Sequence, residues 1–354
     1  MKVLSVVGAR PQFVKLAPVS AALGEAGVDH VVVHTGQHYD DNMSQSFFCS
    51  LAIPTADINL QVGSGSHASQ TAAMLTALGP VLEEHRPDWV LVYGDTNSTL
   101  AAAVVATKLH LPLARLEAGL RSFNRRMPEE HNRVLTDHSA DLCLAPTEIA
   151  MAHLAAEGLA ERSVLVGDVM TDILRRVADC VSDDPVESPI PTSLDGFVLA
   201  TIHRPDNTDD PHRLADIVAA LHRMDRPVFL AAHPRLVHCA AKGGVTLAGG
   251  AVTVVPPLAY PQLVQALGQA GDVVTDSGGL QKEAFLMGVP VVTVRTETEW
   301  VESLADGWNV LQNDPSLITE AAHRPRPSAA RGTPYGAGDA AERTVKTLTA
   351  WSPP

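Results

Sequence analysis

What most constrains this chain is a rhythm. Short runs of Val and Leu alternate with Ala- and Leu-rich stretches of helical length, from the first residues almost to the last. The runs fall near 3–7, 31–35, 89–93, 113–116, 142–145 and 164–166, and again near 197–201, 228–232, 252–255, 273–275 and 289–294. Helical patterns lie between them, at 16–23, 70–84 and 100–108 among others. Strands that alternate with helices pair in parallel, and near-continuous apolar runs are what strands buried on both faces look like. The expectation is an α/β chain of doubly wound parallel sheets with helices on both faces.

At 354 residues the chain is long for one such unit and comfortable for two. The acidic, Pro-rich segment 183–191 reads as a loop leading into the second half, because proline has no N–H and a fixed φ. The expected division is 1–167, 168–335 and a closing segment 336–354 that carries a last helix near 339–349. Aromatics are only 4%, so Ala and Val carry the core, which suits helices on parallel sheets. The formal charge is −14 with no basic run, which argues against a nucleic-acid partner but not against a small anion held by a few local cations. No apolar run reaches the ~18–20 residues of a membrane span. The opening Met-Lys-Val-Leu-Ser-Val-Val-Gly reads as a strand, so a cytoplasmic protein with no membrane partner is expected. Neither the four Cys nor the 15 His show metal-ligand spacing, so no metal is expected.

Polar residues gather directly after the expected strands: Gly8-Ala9-Arg10, Thr35-Gly36-Gln37-His38, Gly94-Asp95-Thr96-Asn97, Glu117-Ala118-Gly119, His203-Arg204, His233-Pro234-Arg235 and Asp276-Ser277-Gly278-Gly279. Doubly wound sheets bind ligands at the carboxyl ends of their strands, so a cleft shared by the two halves is the economical expectation. Ser277, Gly278 and Gly279 open a helix, whose free N–H groups and partial positive charge suit a phosphate. Glu283 is read in the first turn of that helix, where it could accept both hydroxyls of a ribose. An ordinary βα turn is the plainer reading. Arg10 and Lys15 bracket another helix start and suit a second phosphate contact; two solvated charges are the alternative. No G-x-G-x-x-G is present, so the dinucleotide fingerprint is missing.

The acidic set is Asp95, Glu117, Glu129 and Glu130. Crowded carboxylates raise one another's pKa, and one raised far enough serves as a general acid or base. Singly, Asp95 could be a helix cap and Glu129 a first-turn helix acid after Pro128. His203 titrates near neutrality and could protonate or bond to a departing phosphate; a capping or packing His is the alternative.

Together, Gly8-x-Arg10-Pro11 through Lys15, Gly94-Asp95-Thr96, Glu117-Ala118-Gly119-Leu120-Arg121, Pro128-Glu129-Glu130-x-Asn132-Arg133, Thr275-Asp276-Ser277-Gly278-Gly279-x-Gln281-x-Glu283 and Pro334-Tyr335-Gly336 resemble, in order and end to end, the non-hydrolysing UDP-N-acetylglucosamine 2-epimerases. The resemblance implies a GT-B fold: two Rossmann-like domains, a UDP-sugar in the cleft between them, and a last helix packed back on the first domain. It implies a homodimer that needs no cofactor. It also implies reversible interconversion of UDP-GlcNAc and UDP-ManNAc, by anti elimination of UDP to 2-acetamidoglucal and re-addition. Carried over residue by residue, Asp95, Glu117 and Glu129 are the acid/base carboxylates and His203 assists UDP departure. Arg10, Lys15, Arg133, Ser277, Gly278, Gly279 and Glu283 hold the substrate.

Several positions depart from the common pattern. Ala9 and Gln12 replace Thr and Glu, Trp300 stands where an Arg is expected, and Arg295-Thr296 replaces an Arg-Asp pair. These look like the branch acting on UDP-2,3-diacetamido-2,3-dideoxyglucuronate. Gln37 and His38 match part of a regulatory UDP-GlcNAc site of bacterial members, with His67 in place of an Arg. A GT-B glycosyltransferase is the rival class, although Glu117 and Glu129 have no obvious task in it. A hydrolysing epimerase and a non-catalytic UDP-sugar sensor also stay open.

Overall fold

The computed structural model describes residues 1–36 and 54–351, with Arg10 described in its backbone alone. The chain divides into two compact units, Met1–Arg175 with Thr333–Pro354, and Arg176–Gly332. The N-terminal unit holds strands β1 (Lys2–Val7), β2 (Asp29–His34), β3 (Ile58–Asn59), β4 (Trp89–Tyr93), β5 (Leu113–Leu116), β6 (Leu142–Ala145) and β7 (Ser163–Leu165). Their order across the sheet is β3-β2-β1-β4-β5-β6-β7. The C-terminal unit holds β8 (Val198–Thr201), β9 (Val228–Ala231), β10 (Val252–Val255), β11 (Asp272–Thr275), β12 (Val291–Thr293) and β13 (Asn309–Leu311), in the order β10-β9-β8-β11-β12-β13. Every pairing is parallel. The two-domain α/β class expected from the rhythm is therefore the class of this chain.

Both sheets are wound the same way. The chain builds outward from the first strand to one edge, then returns to the other side of that strand and builds to the opposite edge. The returns place helices on both faces and leave one switch point per sheet, between β1 and β4 and between β8 and β11.

The strand sequences show why the faces are buried. In the C-terminal unit Val198, Ala200, Val228, Leu230, Val274 and Val292 point into one apolar cluster. Their immediate neighbours Phe197, Leu199, Phe229, Ala231, Val273 and Val291 point into another. A strand whose alternate side chains both need apolar cover cannot leave a face to water. Two strands escaped the sequence reading, β3 and β13, because two and three residues carry no readable period.

The helix Val169–Asp183 runs across the division between the units, which therefore falls inside a helix rather than directly after Gly167. Hydrogen bonding explains the place. The Asp168 N–H donates to the Tyr335 carbonyl at 3.0 Å. The Asp172 carboxylate accepts from the N–H groups of Ala340 and Ala341 at 3.2 and 2.8 Å, at the start of the last helix, Ala340–Ala350. Burial pushes the Asp172 carboxyl up to about 6, against those two N–H groups. The Trp89 indole N–H reaches the Leu348 carbonyl at 3.1 Å. The first turns of Val169–Asp183 and the whole last helix are thus tied to the N-terminal unit. No helix among the described residues is long and apolar enough to cross a membrane.

Candidate active site

Four of the polar loops leave the strands that flank the two switch points: Gly8-Ala9-Arg10 after β1, Gly94-Asp95 after β4, His203-Arg204 after β8 and Asp276-Ser277 after β11. Glu117 follows β5, one strand further out.

In the N-terminal unit Lys15 and Glu117 form an ion pair through Nζ and Oε2. Burial pulls the Lys15 ammonium downward, but the Glu117 carboxylate, helped by Asp95 and Asp168, holds it above the usual lysine range. Lys15 is therefore a fixed cation. Glu117 is buried at 3% exposure, and its second oxygen, Oε1, has no hydrogen-bond partner among the described residues. Its backbone has φ of 65°, a left-handed conformation that is uncommon for a non-glycine residue and costs it free energy. The strain is held by the segment that follows. The Gly119 N–H donates to Asp137 Oδ2 at 3.0 Å, and Arg121 Nη1 donates to the same oxygen at 2.7 Å.

Asp95 is gripped by Arg133, whose Nε and Nη2 both lie 2.8 Å from Oδ2. The capping alternative for Asp95 falls away, because Thr96 caps the helix Asn97–Lys108 through its own hydroxyl. Glu129 lies half-buried in the first turn of the helix Pro128–Ser139 and makes no hydrogen bond among the described residues. Glu130 has a different fate from its neighbour. It accepts from the N–H groups of Ser122 and Phe123, each at 2.9 Å, and from Arg133 at 2.7 Å. Burial alone would raise its pKa, but these donors hold it below the usual carboxylate range, so it braces the 122–133 segment. Arg133, expected to bind substrate, spends its guanidinium on Asp95 and Glu130. Arg10 opens the helix Arg10–Glu25, and its side chain lies outside what is described.

In the C-terminal unit the helix Gly278–Met287 starts directly after β11, with Ser277 as its cap: the Ser277 hydroxyl accepts from the Leu280 N–H at 3.3 Å. The Ser277 N–H is itself taken by Thr275 Oγ1 at 2.9 Å. The N–H groups of Gly278 and Gly279 have no partner among the described residues, as an anion-binding helix start requires. Glu283 is buried in the second turn of this helix, not the first, because the helix begins at Gly278. It therefore acts from one turn below the free N–H groups.

Asp276 is the hub of this unit. Fully buried, it accepts from the N–H groups of His203 and Arg204 and from Asn207 Nδ2, all between 2.9 and 3.1 Å. Its Oδ1 also lies 3.3 Å from His203 Nδ1. One carboxylate thus ties together the loops on both sides of the switch point and orients the imidazole. Burial first, then the nearby His233 and Arg204, depress the His203 pKa against the pull of Asp276, so the imidazole is neutral at pH 7.

Some functional residues escaped the sequence reading. Asp276 was legible as part of the turn but not as the partner of His203, which lies 73 residues away. Asp137 is fully buried and pairs with Arg115 and Arg121, and Arg115 also donates to the Arg133 carbonyl. Together they join the Glu117 segment to the helix that carries Glu129. One signal was available: an arginine in the middle of Leu-Ala-Arg-Leu, a strand buried on both faces. Gln12, also a departure in the sequence, accepts from the N–H groups of Gly8 and Ala9 and donates to the Tyr93 carbonyl, so it clamps the β1 loop to the end of β4. His67 lines a cavity of about 560 Å³ in the N-terminal unit with Arg125, Arg126 and His131. Gln37 and His38 lie outside the described residues.

Residues 21–349 match a family model described as UDP-N-acetylglucosamine 2-epimerase. The chain is 45% identical to a UDP-2,3-diacetamido-2,3-dideoxy-D-glucuronate 2-epimerase of Pseudomonas aeruginosa, over 98% of this chain and 99% of that one. Among solved structures it is similar to the Methanocaldococcus jannaschii UDP-GlcNAc 2-epimerase in complex with UDP-GlcNAc and UDP. There the TM-score is 0.88 at 35% identity, with 99% of each chain covered. The Neisseria meningitidis UDP-GlcNAc 2-epimerase bound to UDP-GlcNAc gives a TM-score of 0.85 at 27% identity, over 99% of this chain and 100% of that one.

Proposed function

The chain belongs to the UDP-N-acetylglucosamine 2-epimerase family, and from that premise we propose that it inverts C2 of a UDP-linked 2-acetamido sugar, interconverting UDP-GlcNAc and UDP-ManNAc. It is an isomerase. A sugar C2–H is not acidified by any neighbouring carbonyl, so inverting it without a redox cofactor needs help from the leaving group at C1. A carboxylate takes the C2 proton, the C–H electrons form the C1=C2 bond, and the C1–O bond breaks with its electron pair going to UDP. The products, 2-acetamidoglucal and UDP, recombine when UDP adds back at C1 and a proton arrives at C2 from the other face.

This chemistry asks for acid/base groups, a cation near the departing oxygen, and a grip that keeps UDP bound between the two steps. In this proposal Glu117, Asp95 and Glu129 handle the protons, and Lys15 holds Glu117 in place through their ion pair. His203 hydrogen-bonds the leaving phosphate. Ser277, Gly278, Gly279 and Glu283 hold UDP, and Arg10 adds a phosphate contact. Arg133 acts by positioning Asp95 rather than by touching the sugar. The observation that carries the reading is Glu117 Oε1, a buried carboxylate oxygen with no partner among the described residues, beside a fixed ammonium. A homodimer and a cytoplasmic location belong to the same proposal.

The sugar itself has a second candidate. Trp300 is buried, and Lys282 Nζ lies 3.8 Å from the centre of its ring. The cation expected at that position is thus replaced by one drawn onto an aromatic face. With the 45% identity to the Pseudomonas aeruginosa enzyme, this favours UDP-2,3-diacetamido-2,3-dideoxyglucuronate as an alternative substrate. Turnover of the two UDP-sugars, followed by NMR of the products, decides between them. A C2 epimer formed from neither sugar would sink the proposal. Sugar transferred to an acceptor would replace it with a glycosyltransferase.

A further inference from the structure

The grip on the nucleotide described so far uses backbone N–H groups and His203 but no arginine of the C-terminal unit. Arg295 lies just beyond β12, with its side chain 5% exposed. Its Nη2 faces Glu299 Oε2 at 3.1 Å. Its Nη1 is buried and has no hydrogen-bond partner among the described residues. The pair lies against the helix start: a Cβ on Gly278 would sit 2.6 Å from Glu299 Oε1 and 3.8 Å from Arg295 Nη1. A side chain at Gly278 would therefore displace the Glu299 carboxylate and disturb this ion pair.

Arg204, at the end of the β8 loop, is the other arginine. Its guanidinium makes no hydrogen bond among the described residues. Burial first and then the charge of Arg295 depress its pKa, while Glu299, Asp276 and Asp206 work the other way. The two guanidiniums are close enough to repel. Asp276 is occupied by the loop donors and Asp206 is exposed, which leaves Glu299 as the less exposed carboxylate acting on both. A structural loop brace accounts for Arg295 Nη2. It accounts for neither Nη1 nor Arg204, whose guanidinium has no hydrogen bond among the described residues.

We propose that Arg295 and Arg204, with the N–H groups of Gly278 and Gly279, clamp the diphosphate of the nucleotide, Arg295 donating through Nη1, and that Glu299 holds Arg295 in place when no nucleotide is bound. The inference rests on reading the Ser277–Gly279 turn as the nucleotide site. Guanidinium forks suit phosphate oxygens, and four separate donors are more than one phosphate needs, so the clamp distinguishes a diphosphate from a monophosphate. Glu299 plays a divided part, because its carboxylate orders Arg295 yet competes with the phosphate for it. The clamp therefore predicts effects of opposite sign for the two halves of one ion pair.

The test is calorimetric titration of the full chain with UDP, UMP and uridine, alongside the melting temperature without ligand. Arg295→Gln should weaken UDP by roughly thirtyfold, the scale of one lost charge-assisted hydrogen bond, weaken UMP by much less and leave uridine unchanged. Arg204→Gln should act in the same direction. Glu299→Gln should tighten UDP. If Arg295→Gln does not fold, Arg295→Lys keeps the charge without the fork and should lie between wild type and a full loss. UDP affinity unchanged in a folded Arg295 variant overturns the clamp. So does equal weakening by Arg295→Gln and Glu299→Gln, the signature of a brace. A wild-type chain that binds no UDP overturns the nucleotide reading itself, whereas a failure confined to the variants overturns the clamp alone.

Discussion

The two units share a winding and differ in what they place at its switch point. In the N-terminal unit the strand ends carry carboxylates: Asp95 after β4 and Glu117 after β5, each paired to a buried or half-buried cation. In the C-terminal unit they carry a helix start with free N–H groups, a neutral imidazole and two incompletely paired arginines. The first set is suited to moving protons and the second to holding an anion. Topology decides where in each sheet a site can form, and it decides nothing about the chemistry done there.

If that division of labour holds, damage to one unit should leave the function of the other nearly untouched. The largest expected effect is Glu117→Gln, which should cut turnover by roughly a thousandfold, the range of a lost general acid or base, with UDP affinity little changed. Steady-state rates set beside a UDP titration check it, and near-normal turnover would remove Glu117 from the proton-handling group. Next comes Gly278→Ala, which drives a methyl group toward Glu299 Oε1. It should weaken UDP by roughly ten- to a hundredfold, as overpacking of a tight site does, while turnover at saturation falls much less. A variant with normal UDP binding but poor turnover would invert the comparison.

The smallest effect concerns protons within the anion-holding unit. His203 is below its ordinary pKa in the free protein, and bound phosphates should raise it. Binding then takes up a proton, so UDP affinity should fall as pH rises through the window between the free and bound values, with no such change below the free value. Titration in buffers of different ionisation heat should show a fractional proton uptake beyond that of His203→Asn, whose residual uptake reports UDP itself. Asp276→Asn should shrink the excess, because it removes the carboxylate facing Nδ1. Equal uptake by wild type and His203→Asn would take the imidazole out of phosphate contact.

How much of this was visible in the sequence follows the range of each interaction. Strands and loops were legible because they rest on local periodicity, and the functional loops stood out because polar residues gathered after apolar runs. Thr96 next to Asp95 also lay in plain view, yet which of them caps the helix depends on where Arg133 lies, 38 residues away. The same holds for the partition of Glu129 and Glu130. Adjacent carboxylates in one helical turn look alike in sequence, and only the Ser122–Phe123 backbone separates the braced one from the free one. Glu283 moved from the first turn to the second because the helix starts at the first glycine, a detail that turn composition does not encode. Arg295 was visible only as the retained half of an Arg-Asp pair whose second member is Thr296. Its meaning needs the unpartnered nitrogen, and that exists only in three dimensions.

The central claim is that UDP leaves C1 and returns while a carboxylate of the N-terminal unit exchanges the proton at C2. Incubation of the protein with UDP-GlcNAc, and separately with the 2,3-diacetamido uronate, in deuterated water tests it most directly. The account predicts deuterium at C2 of both the recovered substrate and its C2 epimer for at least one of the two sugars, with UDP held rather than accumulating. Tight UDP binding with no deuterium at C2 of either sugar would contradict it.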